Sequence, residues 1–219
     1  MTFYTKGERS DEQINQKRDK IQKSCRILRS VSVVLLVITI LAALFAAVGM
    51  VSFLASDPDS IDLYTASSRG KMTVTNGTFT AMIELSALPP SASLADGTPY
   101  WGFHPKAAGT VSFAASLVAG IVQSVLFLYC VLLFDRAADE PFSAKTGKYL
   151  RRIGLFTLLL AALPELLLTV LLALFAGGLW YFYPSGLPFT GILAGAVLYA
   201  AAHIFDYGCF LQQEYDETL

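Results

Sequence analysis

The sequence predicts an all-α integral membrane protein with four transmembrane helices and a small extracytoplasmic loop that contains a β-hairpin. Three observations predict this class. Of the 219 residues, 54% are hydrophobic and 15% charged, whereas a soluble domain carries about 25% charged residues. Four apolar runs reach the roughly 20 residues that a span needs. Lys and Arg concentrate in alternate connections, as they do in multi-pass proteins. The formal net charge is −1, so bulk charge gives no reason to bind nucleic acid directly. The partner that composition does imply is the lipid bilayer.

Residues 1–30 form a leader with eight cations, Lys6, Arg9, Lys17, Arg18, Lys20, Lys23, Arg26 and Arg29. Ser10 and Gln13 have capping-box spacing, so a helix is expected from Ser10 onward, with Ile14, Ile21, Cys25 and Leu28 on one stripe. It is expected to run straight into the first span, residues 31–55. That apolar core is too long for a cleaved signal peptide, and Phe53 sits where cleavage wants a small residue, so an uncleaved anchor is expected. The basic faces of the leader suit either anionic lipid or a cytoplasmic partner.

Residues 56–109 connect the first span to the second, and so long a connection should hold structure of its own. Lys71 to Thr75, then Asn76-Gly77, then Thr78 to Glu84 reads as a hairpin, since Asn-Gly favours a tight two-residue turn. That turn pairs Val74 with Phe79 and Met72 with Ala81, making one apolar face that should be covered. Asn76-Gly77-Thr78 is also an acceptor sequon. A cap over the helices and a ligand-capturing loop are both open as roles.

The second span is residues 110–134. Its stripe Ser112, Ser116, Gly120 and Gln123 has helical spacing and is expected to face protein. The connection 135–152 carries Arg136, Lys145, Lys148, Arg151 and Arg152. Ser143 suits a helix N-cap, and Phe142, Tyr149, Leu150 and Ile153 suit a short membrane-surface helix. The third span is residues 153–176, followed by an outer loop, 177–188, and a fourth span, 189–211. Residues 212–219 form an acidic tail.

Counting cations, leader and inner connection hold thirteen, against Arg69, Lys71 and Lys106 on the other side. Both termini are therefore expected in the cytoplasm. Tyr100, Trp101 and Phe103, with Trp180, Tyr181, Phe182 and Tyr183, fall at the outer interface, where amphipathic rings sit. Cys25, Cys130 and Cys209 fall near cytoplasmic helix ends, so no structural disulfide is expected. Acylation of Cys25 or Cys209 stands beside the reading of inert packed thiols.

Ionisable groups inside a span are costly and mark candidate functional positions. Glu165 lies 12 residues past Ile153, about 18 Å in at 1.5 Å per residue. Tyr199 reaches the same depth from Leu211, and Gln123 lies about 16 Å from Phe134 by the same rise. Gln123, Glu165 and Tyr199 are thus expected to form an intramembrane polar cluster. It would serve as a clasp setting helix register, as a responsive switch, or as part of a transport path. His203 and Asp206 are three apart on one face and form a second expected pair. Two residues fall short of the four ligands of a structural zinc site, so no metal and no cofactor are expected. Gly191 and Gly195 permit close helix approach, either within the chain or in a homodimer. No Gly-x-Ser-x-Gly, His-Glu-x-x-His or phosphate loop is present. Catalytic residues are accordingly not assigned, and the chain is not expected to be an enzyme.

Glu140-Pro141-Phe142-Ser143, Leu150-Arg151-Arg152-Ile153-Gly154 and the ending from Ile204 to Leu219 together resemble a bacterial membrane family known as domain of unknown function twenty-nine seventy-five. The likeness lies in Pro-Phe-Ser/Thr, a basic stretch before span three, and Ile-Phe-x-x-Gly-x-x-Leu-x-x-Glu-x-Asp-x-Thr. It covers the C-terminal half; the first span and outer loop match in layout only. The resemblance implies a bacterial inner-membrane protein of four spans and no stated activity. It also implies a cytoplasmic regulatory partner, because such families are often encoded beside a small helix-turn-helix regulator. Read by itself, the ending lets Gly208 bring span four close to another helix. Glu214, Asp216 and Glu217 are then set to pair with Arg151, Arg152 or the leader, or to dock a basic protein.

Overall fold

The computed structural model describes residues 5–66, 71–84, 104–139, 144–175 and 189–217. Side chains before Lys20 lie outside this description. Four helices, α1 (Thr5–Ala55), α2 (Pro105–Asp139), α3 (Ala144–Phe175) and α4 (Phe189–Glu217), carry three strands, β1 (Asp62–Ala66), β2 (Lys71–Thr75) and β3 (Thr80–Glu84), between α1 and α2. All four helices are long and apolar enough to cross a membrane. A helix is the form these sequences must take in lipid, because it satisfies its own backbone hydrogen bonds.

The helices run past the expected spans. Leader and first span are one helix of 51 residues, about 75 Å long at 1.5 Å per residue against a hydrocarbon core of about 30 Å. It starts at Thr5, so Ser10 is an interior residue and not the N-cap the capping-box spacing implied; Glu8 and Arg9 are good helix formers and nothing before Ser10 stops the helix. The surface helix expected before span three is likewise the first turns of α3 itself, which begins at Ala144. Ile153, expected at the lipid interface, is instead buried in protein. The acidic tail continues α4 as helix to Glu217. Ser143, the outer loop 177–188 and both outer aromatic groups lie outside the described residues.

The chain divides into two compact units. The first takes Met1–Val37, Ser124–Phe156 and Ala194–Leu219; the second takes Ile38–Gln123 and Thr157–Leu193. The first gathers the segments that cation counting assigns to the cytoplasmic side, the second the long outer connection.

The core of the second unit is built by α1, α2 and the sheet. Phe53 of α1 lies over Gly109 of α2, and Phe113 of α2 lies over Gly49 of α1. These are reciprocal ring-into-glycine contacts, and a Cβ at either glycine would enter the facing ring. About two helix turns further, Gly120 sits against Ala43, where a Cβ would lie 2.9 Å from the alanine methyl. Val74, Ala81 and Ile83 of the sheet complete the core with Ala46 and Ala108. Phe79 joins it through ring contacts to Phe45 at 5.3 Å and Phe113 at 5.9 Å. Gly120 thus faces protein as expected, but Ser116 of the same stripe is exposed. The buried stripe is Gly109, Phe113 and Gly120, with Leu117 packed on the core.

The sheet is antiparallel in the order β1-β2-β3. The expected hairpin exists with a different register. Val74 pairs with Ala81 and Met72 with Ile83, two residues on from the pairing a two-residue turn gives. Asn76 causes the shift. Its Oδ1 accepts from the backbone N–H groups of Thr78 (3.2 Å) and Phe79 (2.8 Å), its own N–H donates to the Phe79 carbonyl at 3.2 Å, and Gly77 takes φ of 81°. The turn therefore closes over four residues. Because the slip is even, Val74 and Ala81 keep the covered face. The Asn76 Nδ2 donates to Ser52 Oγ at 2.9 Å and Ser56 Oγ at 3.0 Å, tying the turn to the end of α1. A glycan on that nitrogen replaces one of its two N–H donors, so at least one of these bonds would be lost. Lys106 Nζ donates to the Ser56 carbonyl at 2.8 Å, fixing the start of α2 to the same spot. β1 was not anticipated, although Ile61 and Leu63 alternate as a strand requires.

Candidate functional site

Gln123 and Glu165 both belong to the second unit. Gln123 is half-buried on α2, and Glu165 is exposed on α3. No hydrogen bond joins the two side chains. At Glu165 it is the backbone carbonyl that is engaged, accepting from Thr169 Oγ1 at 2.9 Å. The helix runs unbroken through Pro164. Tyr199 belongs to the first unit, where its ring meets His203 edge-on at 5.0 Å and 69°.

His203 and Asp206 do not pair with each other among the described residues. His203 turns toward Tyr199, four residues back on the same helix face. Asp206 lies against Gly147, in the first turn of α3, where a Cβ would collide with its carboxylate. A carboxylate there is favoured by the exposed N–H groups and positive pole of the helix start. Seven residues along α3, Gly154 fits against the backbone of α4: a Cβ would lie 2.7 Å from the Tyr199 nitrogen and 3.1 Å from the Gly195 carbonyl oxygen. Gly147 and Gly154 thus form the seam that lets α3 and α4 touch in this unit. Gly195 is used inside the chain, as is Gly191, which packs on Ala161 in the second unit. At Gly208, nothing among the described residues lies within 4 Å of its Cβ direction.

Arg152 has a partner the sequence did not suggest. Its Nη1 donates to the Tyr129 hydroxyl at 3.2 Å, and its guanidinium carbon stands 5.2 Å from the Tyr129 ring centroid. The same ring stacks on Phe156 at 5.5 Å and lies 6.3 Å from Tyr149. This gathers α2 and α3 around one tyrosine. A second tie joins α1 to α2: Arg29 Nη1 meets Asp135 Oδ1 at 2.7 Å. Arg151 is exposed on α3 and Glu214 on α4, and the Asp216 side chain lies outside the described residues.

Compared with protein families, characterised proteins and solved structures, the chain matches none.

The best-built polar feature is the cationic and aromatic cluster on Tyr129, not the trio of Gln123, Glu165 and Tyr199. Its signals were present in the sequence. Tyr129 lies five residues inside the end of span two, at the depth where amphipathic rings anchor. Gly147 and Gly154 have the seven-residue spacing of one helix face. Neither signal says which helix answers it. Cys25, Cys130 and Cys209 are free thiols of intermediate burial.

Proposed function

We propose that this chain is a non-catalytic regulatory or sensory protein of the bacterial inner membrane, with both termini in the cytoplasm and a small cytoplasmic protein, such as a helix-turn-helix regulator, as its partner. The observation that carries the reading is the continuity of the helices. The basic start of α1 and the acidic end of α4 are helical extensions of membrane-crossing helices. A shift of either helix in the bilayer is then transmitted along its axis without an intervening hinge. The exposed Arg151 and Glu214, with Arg152 and Asp216, supply charges of both signs for docking. Photo-crosslinkers placed at Arg151 and at Glu214 in the native membrane test this. The reading expects one cytoplasmic protein on both positions, lost when Glu214 and Asp216 are neutralised. Crosslinks to no cytoplasmic protein under any growth condition overturn it.

The exposed carboxyl of Glu165 within an apolar helix favours a second reading, a small transporter or channel subunit. Its test is proton or ion flux into liposomes that Glu165→Gln abolishes.

A further inference from the structure

The geometry points to a binding site for one anionic phospholipid on the first unit, with the lipid phosphate at Arg152 and Lys148 and an acyl chain descending beside Leu155. Lys148, Arg152 and Leu155 stand at i, i+4 and i+7 of α3, which places them on one helix stripe. All three are exposed, as is Lys145 one turn before Lys148. The stripe therefore presents cations in its first turns and bare hydrocarbon in the next, in the order in which a phospholipid presents phosphate and chain. Leu128 of α2, next to Tyr129, is 45% exposed, as is Leu155, so both helices offer apolar surface below the cations.

Arg152 is held in place for this role. Stacking and one hydrogen bond to Tyr129 fix the guanidinium plane while using one of its five N–H donors. The remaining donors suit the forked geometry of a phosphate. Tyr129 is itself fixed by Phe156 and Tyr149. Asp135, on the same helix as Tyr129, is engaged by Arg29, so it does not neutralise the site. Basic pockets between membrane helices are the places where acidic headgroups bind. The inference rests on the four membrane-spanning helices and is independent of any protein partner.

Full-length protein in detergent, titrated with phosphatidylglycerol or with phosphatidylcholine of the same acyl chains and read by native mass spectrometry, tests the proposal. The expected result is a retained one-to-one phosphatidylglycerol adduct and no retained phosphatidylcholine. Removing one cation near a membrane surface lowers anionic lipid binding about fivefold, so Arg152→Ala and Lys148→Ala should each weaken the adduct by that factor. Arg152→Lys keeps the charge but not the fork or the stacking and should fall between. Arg136→Ala, an exposed cation at the end of α2, should change nothing. Inorganic phosphate should not displace the lipid. Equal retention of the two lipids, an equal loss in Arg136→Ala, or displacement by free phosphate overturns the proposal. If Arg152→Ala fails to fold, Lys148→Ala and Arg152→Lys decide it.

Discussion

Gly49 and Gly109 are the residues on which the second unit most depends. Each receives a phenylalanine ring from the facing helix, and Phe53 is fully buried, so its ring has nowhere to move. Gly49→Val should destabilise the protein by about 1–3 kcal/mol, the usual cost of overpacking. Gly208→Ala, where the space is open, should stay within about 0.5 kcal/mol of the parent. Denaturant unfolding in detergent compares the two. The sequence singled out Gly120, Gly191, Gly195 and Gly208, of which the first three pack within the chain, and gave no packing role to Gly49, Gly109, Gly147 or Gly154. The reason is physical: on an apolar helix a glycine that faces a neighbour and one that faces lipid have similar surroundings in the chain. Glu165 and Gln123 illustrate the same limit. Depth along a helix can be counted from its end, but rotation about the axis is set by packing, and no hydrogen bond joins this pair.

The elements were far more legible. Helix length and apolar composition fixed four helices, because lipid leaves the backbone no other way to satisfy its hydrogen bonds. Existence and facing of the β2–β3 hairpin were readable from alternation. Its register was not, because Asn76 builds a four-residue turn from side-chain bonds that a dipeptide signal does not reveal. Asn76→Ala removes the bonds to Ser52 and Ser56 and two within the turn, and should cost about 2 kcal/mol. Ser52→Ala removes one acceptor of the pair and should cost less, about 1 kcal/mol. Thermal unfolding of the two variants orders them; no loss in Ser52→Ala would place the effect of Asn76 in the turn alone. The ends of elements were least legible: the leader, the inner connection and the tail read as separate pieces, but their described residues are extensions of α1, of α2 and α3, and of α4. No glycine or proline interrupts those junctions strongly enough to stop a helix already formed. The Arg29–Asp135 pair joins two such extensions with both side chains about half exposed. A double-mutant cycle should give under about 1 kcal/mol, so this pair orients helices more than it stabilises them.

For the whole molecule, the side of the membrane that each part occupies decides what it can bind. The first unit carries the exposed cations of α3, the Tyr129 cluster and the acidic end of α4; the second carries the sheet. Docking of a cytoplasmic partner and binding of an inner-leaflet lipid both need the first of these inside the cell. Cation counting predicts that arrangement. The direct measurement is labelling of single cysteines by a membrane-impermeant maleimide in intact cells, in a background lacking Cys25, Cys130 and Cys209. Thr78→Cys, at the exposed turn of the sheet, should label in intact cells. Lys145→Cys and Glu214→Cys should label only after the membrane is permeabilised. Labelling of either in intact cells would contradict the topology and remove the physical basis for both the partner and the lipid.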